Sequence, residues 1–221
     1  MRVALSGIGV SWGIMTILLM LGMINGLEYG IKSDMENRAS NSMFVWTMTT
    51  TKAYGGYKPG RRFDLNNADI EWLEQNVNHI GVLSPRLQLG GYRGGNNVTY
   101  LTNTGAFNIY GDYPCYIQIE PMLILAGRYI NQGDMAERRK VCVIGTEVKR
   151  VLFGSEDPID KNIRINGVMF KVVGVYGSTK QGEDAEEDAQ SIFIPFNTFQ
   201  KAFNVGDRVG WISLLSDEET P

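Results

Sequence analysis

Histidine occurs once in the 221 residues, at His79, with no cysteine near it. A single imidazole cannot assemble a multi-histidine metal site, and no nucleophile motif accompanies it, so a surface or turn position is expected. Cys115 and Cys142 are the only cysteines, 27 residues apart and without a C-x-x-C pattern. They could form one disulfide or remain two free thiols, and the apolar run "VCVIG" suits Cys142 as a small buried side chain. No G-x-x-x-x-G-K-[ST] occurs, so ATP cannot be held by a P-loop of this chain. "GGYRGGNN" (90–97) has the glycines of a phosphate cradle but precedes no helix, and reads as a flexible hairpin tip. Five acids fill six positions from Glu183 to Asp188 without the spacing of a calcium loop, which leaves a solvated loop. The expectation is a chain with no catalytic residue, no metal site and no cofactor of its own.

Other features must then define it, beginning with "VALSGIGVSWGIMTILLMLGMINGL", residues 3–27, which carry no charge. As a helix this stretch is roughly 37 Å long, more than the ~30 Å hydrocarbon core of a bilayer requires. It exceeds the apolar run of a signal peptide, and no A-x-A cleavage pattern follows it. A spanning helix is expected, with Arg2 on the cytoplasmic side and everything after residue 28 outside the cytoplasm. Gly9 with Gly13, and Gly22 with Gly26, stand in G-x-x-x-G spacing, which lets a second helix approach closely in lipid. Ser6, Ser11 and Thr16 can bond to carbonyls of their own helix. Leu27, Ile31 and Met35 continue at four-residue spacing, so the helix is expected to run outward as an amphipathic stalk.

The whole chain is 43% hydrophobic with a formal charge of −3 and a mean hydropathy of −0.14. Past residue 27 the composition suits one or two water-exposed domains, and the absence of a basic cluster argues against nucleic acid as a partner. "MFVWTM" (43–48) is a strand, "LNNADIEWLEQNV" a helix capped by Asn66 or Asn67 with Ile70, Leu73 and Val77 on one face, and "VLSPRLQL" a second strand. From 86 to 176 short strands dominate: "VTYLT", "FNIYG", "YIQIE", "VCVIG" and "IRINGVMFKVVGVYG". The last is a hairpin turning at Asn166-Gly167. "EVKRVLFG" is a short helix ending at Gly154. "SIFIPFNTFQKAF" is a strand running into a helix, and "VGWISLL" a final strand.

Several of these pieces occur together in one family. "ALSGIGVSWGIMTILLMLG" resembles the first transmembrane helix of MacB-type ABC transporter permeases, the macrolide-exporter and lipoprotein-release superfamily. "DLNNADIEWLEQNVNHIGVLSP", "LAGRYINQGD", "KVCVIGTEVKRVLFGSEDPIDKNIRINGVMFKVVGVYG" and "QSIFIPFNTFQKAF" resemble the periplasmic core domain of the same family. Members commonly have glycine where this chain has Asp160, and Asp tolerates a left-handed turn better than most residues.

The resemblance implies an α+β architecture: a transmembrane and stalk helix (1–36), the first half of a porter-like βαβ part (37–85), a β-rich inserted subdomain (86–204) and the start of a returning porter-like half (205–221). It implies a piece of a longer inner-membrane permease that works as a homodimer or paired permease. Cytoplasmic ATP turnover, with ATP-Mg on a separate ABC ATPase domain or subunit, would drive substrate efflux. A periplasmic adaptor and an outer-membrane channel would be further partners. Within this picture Gly9, Gly13, Gly22 and Gly26 would set helix packing, and Leu27, Ile31 and Met35 would carry motion along the stalk. The alternatives are a lipoprotein-release or division-type regulatory permease of the same architecture, and a single-span anchored binding or scaffold module.

Overall fold

The structure is a computed structural model, and it describes residues 7, 10–24, 26, 41–90 and 95–217. The chain divides into two compact units, Met1–Ser40 and Asn41–Pro221, each taken by itself below. In the first, residues 10–24 form helix α1, on which Thr16 Oγ1 donates to the Trp12 carbonyl at 2.9 Å, one turn back along its own helix. Its apolar side chains are exposed, Trp12 and Met23 most of all. No described helix is long and apolar enough to cross a membrane. Gly9, Leu27, Ile31 and Met35 lie outside the described residues.

The second unit starts with β1 (Ser42–Trp46), the two-residue strand β2 (Leu65–Asn66), helix α2 (Asn67–Asn76) and β3 (Ile80–Gln88). Asn66 caps α2: its side chain accepts from the Asp69 N–H while Asp69 accepts from the Asn66 N–H, so two otherwise orphaned donors are satisfied together. Ile70 is buried and Leu73 half-buried, whereas Val77 lies just past the helix and is exposed. His79 sits in the following turn with a left-handed φ of 66°, exposed as expected.

Strands β4 (Asn96–Tyr100), β5 (Asn103–Asp112), β7 (Val141–Gly145), β8 (Asn162–Ile165), β9 (Val168–Ser178) and β10 (Ser191–Pro195) make a closed ring. The pairing runs β5–β10–β7–β9–β8–β4 and returns to β5. Closure removes the free edges that an open sheet of these apolar strands would present. The side chains of Val98, Phe107, Ile109, Ile144, Ile163, Ile165, Phe170, Val172, Ile192 and Ile194 recur every second residue and share one apolar cluster. Helices α5 (Thr146–Phe153) and α7 (Phe196–Ala202) add Val148, Leu152, Phe196 and Phe199 to it. The β8–β9 hairpin turns at Asn166 and Gly167, both at positive φ, as a two-residue Asn-Gly turn requires. Asp160 is also left-handed, at φ 62°, and Gly154 ends α5 at φ 59°.

The ring is continuous with a second sheet. β12 (Trp211–Ser216) lies between β1 and β3, antiparallel to both, and β3 passes from β12 to β5 through Leu87 and Gln88. The expected boundary between residues 85 and 86 therefore falls inside one unbroken strand. Strand β11 (Arg208–Val209) pairs with β2.

Two expectations are corrected. "YIQIE" is not a strand but a helical turn, α3 (Tyr116–Ile119), because Tyr116 and Ile119 bury on one side there and Tyr116 and Glu120, four apart, reach the same guanidinium. "EDAEEDA" is helix α6 (Glu183–Ala189), not a loop, anchored through Asp188 as described below. Strand β6 (Met122–Gly127) and helix α4 (Gln132–Ala136) occupy a stretch that the sequence pattern left unassigned.

Strand β6 pairs with the end of β9, and at Gly127 opposite Gly174 the two backbones cross. A Cβ on Gly127 would overlap the Val173 carbonyl, and one on Gly174 the Arg128 carbonyl, and Gly127 has φ 71°. These are the glycines of "LAGR" and "VVGV". Gly174→Ala should destabilise the unit by about 3 kcal/mol through overpacking, read as a lower midpoint in urea unfolding. A shift no larger than that of an Ala placed in the exposed Gly60 turn would remove the crossing as a constraint.

Candidate functional site

The described residues include no group of three or more His, Cys, Asp or Glu able to hold a metal. Cys115 and Cys142 are separate free thiols, Cys142 fully buried. The chemistry present is electrostatic, and it lies in two places.

The first is the join between ring and sheet. On β3, Ser84, Arg86 and Gln88 share a face with Trp211 and Ser213 of β12 and with Tyr110 and Asp112 of β5, as the register of Ser84 with Ser213, Arg86 with Trp211 and Gln88 with Tyr110 requires. The Arg86 guanidinium is buried there against four rings: 4.2 Å from the Tyr110 centroid, 4.1 Å from Tyr116, 5.4 Å from Phe193 and 5.6 Å from Trp211. Its Nε lies 2.8 Å from Asp112 Oδ1 without the alignment of a hydrogen bond, and its Nη1 donates to the Tyr116 hydroxyl at 2.5 Å. Tyr116 in turn donates to Glu120, which Lys180 also contacts, and Lys180 reaches Asp188 of α6 at 3.3 Å.

Burial opposes charging Arg86, but Asp112 and the neighbouring groups hold it cationic. Burial lifts the Asp112 carboxyl to about 7 even with Arg86 pulling it down. At Glu120 burial is outweighed by Arg86 and Lys180, and the carboxyl lies below its usual range. A parallel arrangement holds "GRYINQGD". The buried Asp134 carboxylate takes both Arg128 nitrogens, at 2.5 and 3.0 Å, and closes a capping box with Asn131, which brings its pKa down against the effect of burial.

The second place is an open cavity of about 440 Å³ where α2, α7 and the turns after α4 and α7 meet. Asn67, Asn197, Gln200 and Asn204 line it with Arg138 and Lys201, and no carboxylate does. Gln200 and Asn67 exchange side-chain hydrogen bonds of 3.0 and 3.3 Å, which fixes the cavity floor.

Neither place is marked by a sequence motif. Arg86 gives no local signal, because its partners are spread over residues 110–120, 180–193 and 211. Of the glycines expected to pack, Gly13, Gly22 and Gly26 are open: a Cβ added to any of them would meet nothing within 4 Å.

A closed strand ring, welded by a buried arginine to a second sheet, defines the second unit as an α/β domain. Comparison with known proteins makes this specific. The family model for the MacB-like periplasmic core domain matches residues 3–221, and the chain belongs to that family, the periplasmic domain of MacB-like ABC transporter permeases. It is 26% identical over 197 residues to the macrolide export ATP-binding/permease protein MacB of Bdellovibrio bacteriovorus, covering 89% of this chain and 29% of that protein. It is 28% identical over 190 residues to the ABC transporter permease YvrN of Bacillus subtilis, covering 85% of this chain and 46% of that one. Among solved structures, the periplasmic region of MacB from Actinobacillus actinomycetemcomitans superposes with a TM-score of 0.67 at 19% identity, over 85% of this chain and 79% of that one. The extracellular domain of the transporter YknZ from Gram-positive bacteria gives 0.59 at 17% identity, over 71% and 75% of the two chains. The chain thus spans less than half the length of these curated relatives, MacB and YvrN.

Arg86→Met should cost about 3–5 kcal/mol, because Asp112 and Glu120 lose the buried cation that compensates them. Equilibrium unfolding measures this, and Arg86→Lys should recover only part of it, lacking the planar stack on the rings. Glu120 and Asp134 have folded pKa values below their unfolded 4.5 and 3.8. The stability they contribute is fully present above those values and is lost as pH falls through the window beneath them. Asp112, raised above its unfolded value, works in the opposite sense from about pH 7 down to about 4, so the sign is read as a difference: the stability advantage over Asp134→Asn should shrink as pH falls below about 4.

Proposed function

We propose that this chain is the first transmembrane helix and the periplasmic domain of a MacB-type exporter permease, and that it passes ATP-driven motion from the cytoplasm to the periplasm to move a substrate outward. The observation that carries the reading, beside family membership, is how the folded unit begins and ends. Asn41 Nδ2 donates to the Ser216 carbonyl at 2.5 Å, and the Ser216 N–H to the Asn41 carbonyl at 3.1 Å. The strands that follow one and precede the other, β1 and β12, are paired along their length. Displacement applied at residue 41 is thereby delivered to a paired strand doublet, which β3 and Arg86 join to the ring. A unit whose two ends lie side by side suits insertion between two membrane-directed segments.

In this reading residues 3–27 span the inner membrane, Gly9, Gly13, Gly22 and Gly26 pack against a second permease, and Leu27, Ile31 and Met35 form the stalk. Residues 37–85 and 205–221 supply the porter-like part and 86–204 the β-rich part. ATP-Mg binds a separate ABC ATPase domain or subunit, which the names of the MacB relatives support. A periplasmic adaptor and an outer-membrane channel complete the path. Neither a lipoprotein-release or division-type regulatory permease nor a single-span anchored binding or scaffold module is favoured by the relatives' names, which include macrolide export.

The native assembly, purified from membranes, should hydrolyse Mg-ATP, and the 221-residue chain alone should not. An assembly without ATPase activity sinks the coupling. In a Cys115→Ser background, Lys52→Cys should react with a membrane-impermeant maleimide in intact spheroplasts, and Arg2→Cys only after lysis. The reverse pattern would withdraw the topology. Gly13→Leu should weaken self-association in membranes measured by energy transfer, and unchanged association would remove the packing role.

A further inference from the structure

The cavity between α2 and α7 has no task in an exporter permease as described so far, and it lies wholly within the second unit. Its floor follows from the way α7 packs. Phe196 and Phe199 bury one side of that helix in the apolar cluster. Asn197 and Lys201, four apart, and Asn204 in the turn just past the helix therefore fall in line on the other side.

Two further segments close on that line. The turn after α4 is tied to α7 by Asn197 Nδ2, which donates to the Met135 carbonyl at 3.4 Å, and by the buried Thr198 hydroxyl, which donates to the Arg139 carbonyl at 3.1 Å. Arg138 stands between these two anchored carbonyls in the chain. On the other flank Gln200 Nε2 donates to Asn67 Oδ1 and to the Arg208 carbonyl, each at 3.0 Å, which holds the start of α2. The result is a concavity of about 440 Å³. Small-molecule sites occupy roughly 300–1,000 Å³.

The lining has one chemical character. It consists of four amide side chains, two cations and a glycine, and among the described residues no carboxylate and no apolar side chain contributes to it. Cations without an ion pair are common in this unit. Arg138 and Lys201 are set apart because both border one concavity that is otherwise amide. Neither they nor Asn204 form a side-chain bond with another described residue. Of the two Nδ2 protons of Asn67, the bond to Gln200 uses one. Arg138 and Asn204 both have a left-handed backbone, with φ of 51° and 52°. Asparagine adopts that conformation readily, whereas arginine does so at a cost in backbone strain.

We infer that this cavity is a binding site for a small hydroxyl-bearing oxyanion, a sugar acid or sugar phosphate free in solution. Its carboxylate or phosphate lies between Arg138 and Lys201, where a guanidinium supplies paired N–H donors and an ammonium a point charge. Its hydroxyls meet the amides of Asn67, Asn197 and Asn204, since an amide can both donate to a hydroxyl and accept from it. A lining without carboxylates selects against a cationic ligand. One without apolar side chains gives an acyl chain or aromatic ring nothing to bury against. The bound ligand bridges α2, α7 and the turn after α4, and so stabilises the folded unit.

The test is isothermal titration calorimetry on the full 221-residue chain in a neutral detergent at physiological ionic strength. Galacturonate and glucose 6-phosphate are the probes, and galactose is the uncharged counterpart. At least one probe should bind saturably and raise the urea midpoint. Galactose should bind at least about tenfold more weakly, a difference of about 1.4 kcal/mol. Lys201→Gln, and Arg138→Asn with a residue that suits the left-handed turn, should each weaken the probe about tenfold. Asn204→Gly keeps the turn and removes the amide, for an expected loss of about threefold. Lys58→Gln with Arg164→Gln, two exposed cations outside the cavity, should change binding less than about twofold. All these side chains lie outside the buried cores, and an unchanged urea midpoint without ligand verifies folding. Equal loss in the control pair would reduce the effect to diffuse charge and overturn the proposal. So would galactose binding as tightly as the probes, or neither probe binding. Inorganic phosphate binding as tightly as glucose 6-phosphate would overturn it too, because the amides would then contribute nothing. Binding confined to phosphatidylglycerol micelles would assign the cations to a lipid headgroup and overturn it likewise. None of these outcomes touches the exporter role, which stands or falls on ATP hydrolysis and on topology.

Discussion

One guanidinium has to be kept charged inside the protein, and much of the second unit is arranged around it. A buried cation without compensation would cost several kcal/mol, so Arg86 needs acids and acceptors brought to it from other elements. Asp112 comes from β5, the Tyr116 hydroxyl and Glu120 from α3 and its end, and the stacking rings from β5, β10, α3 and β12. The contacts with Asp112, Tyr110 and Phe193 cross the line where the three-stranded sheet passes into the ring. The chain continues from Glu120 through Lys180 to Asp188, which ties α6 into the same network. Hydrophobic burial holds the ring together by itself, but it is indifferent to direction. The arginine gives the join a fixed geometry.

That division of labour makes the unit stiff. A closed strand ring with a packed interior resists deformation, because its interior is close-packed and its backbone bonds have no free edge. The strand doublet β1–β12 sits at the other end of the unit and receives both the incoming and the outgoing chain. Between these lies β3, shared by the two, with Arg86 near the point of transfer. The crossing at Gly127 and Gly174 adds a second rigid contact, between β6 and β9. The Arg128–Asp134 clamp directly after it fixes the chain as it leaves the crossing.

Several family motifs thereby acquire a physical reason. In "LAGRYINQGD" the glycine permits the backbone crossing, the arginine and aspartate clamp each other, and the asparagine caps α4. In "IRINGVMFKVVGVYG" Asn-Gly makes the two-residue turn, the alternating Ile, Phe and Val face the ring interior, and the second glycine answers the first across the crossing. Where this chain has Asp160 in place of a glycine, the residue still adopts a left-handed φ, as Asp can at modest cost.

What the sequence determined by itself was local and periodic. The capped helix after Asn66, the Asn166-Gly167 hairpin, the helix stop at Gly154, the run of alternating strands and the absence of a P-loop motif all follow from neighbours a few residues apart. The motifs were enough to place the chain in its family. Only the tertiary structure decided the rest. That the strands close into a ring depends on β4 meeting β5 and β8 at once, a pairing between distant segments that no local pattern encodes. "YIQIE" has the composition of a strand but is helical, because α3 must present Tyr116 and Glu120 together to Arg86. The acidic stretch at 183–188 reads as solvated, yet Asp188 is held by Lys180 and Ser178. The cavity between Arg138 and Lys201 joins residues 63 positions apart. Pairing of charge is a property of three-dimensional neighbourhoods, and a linear sequence does not contain it.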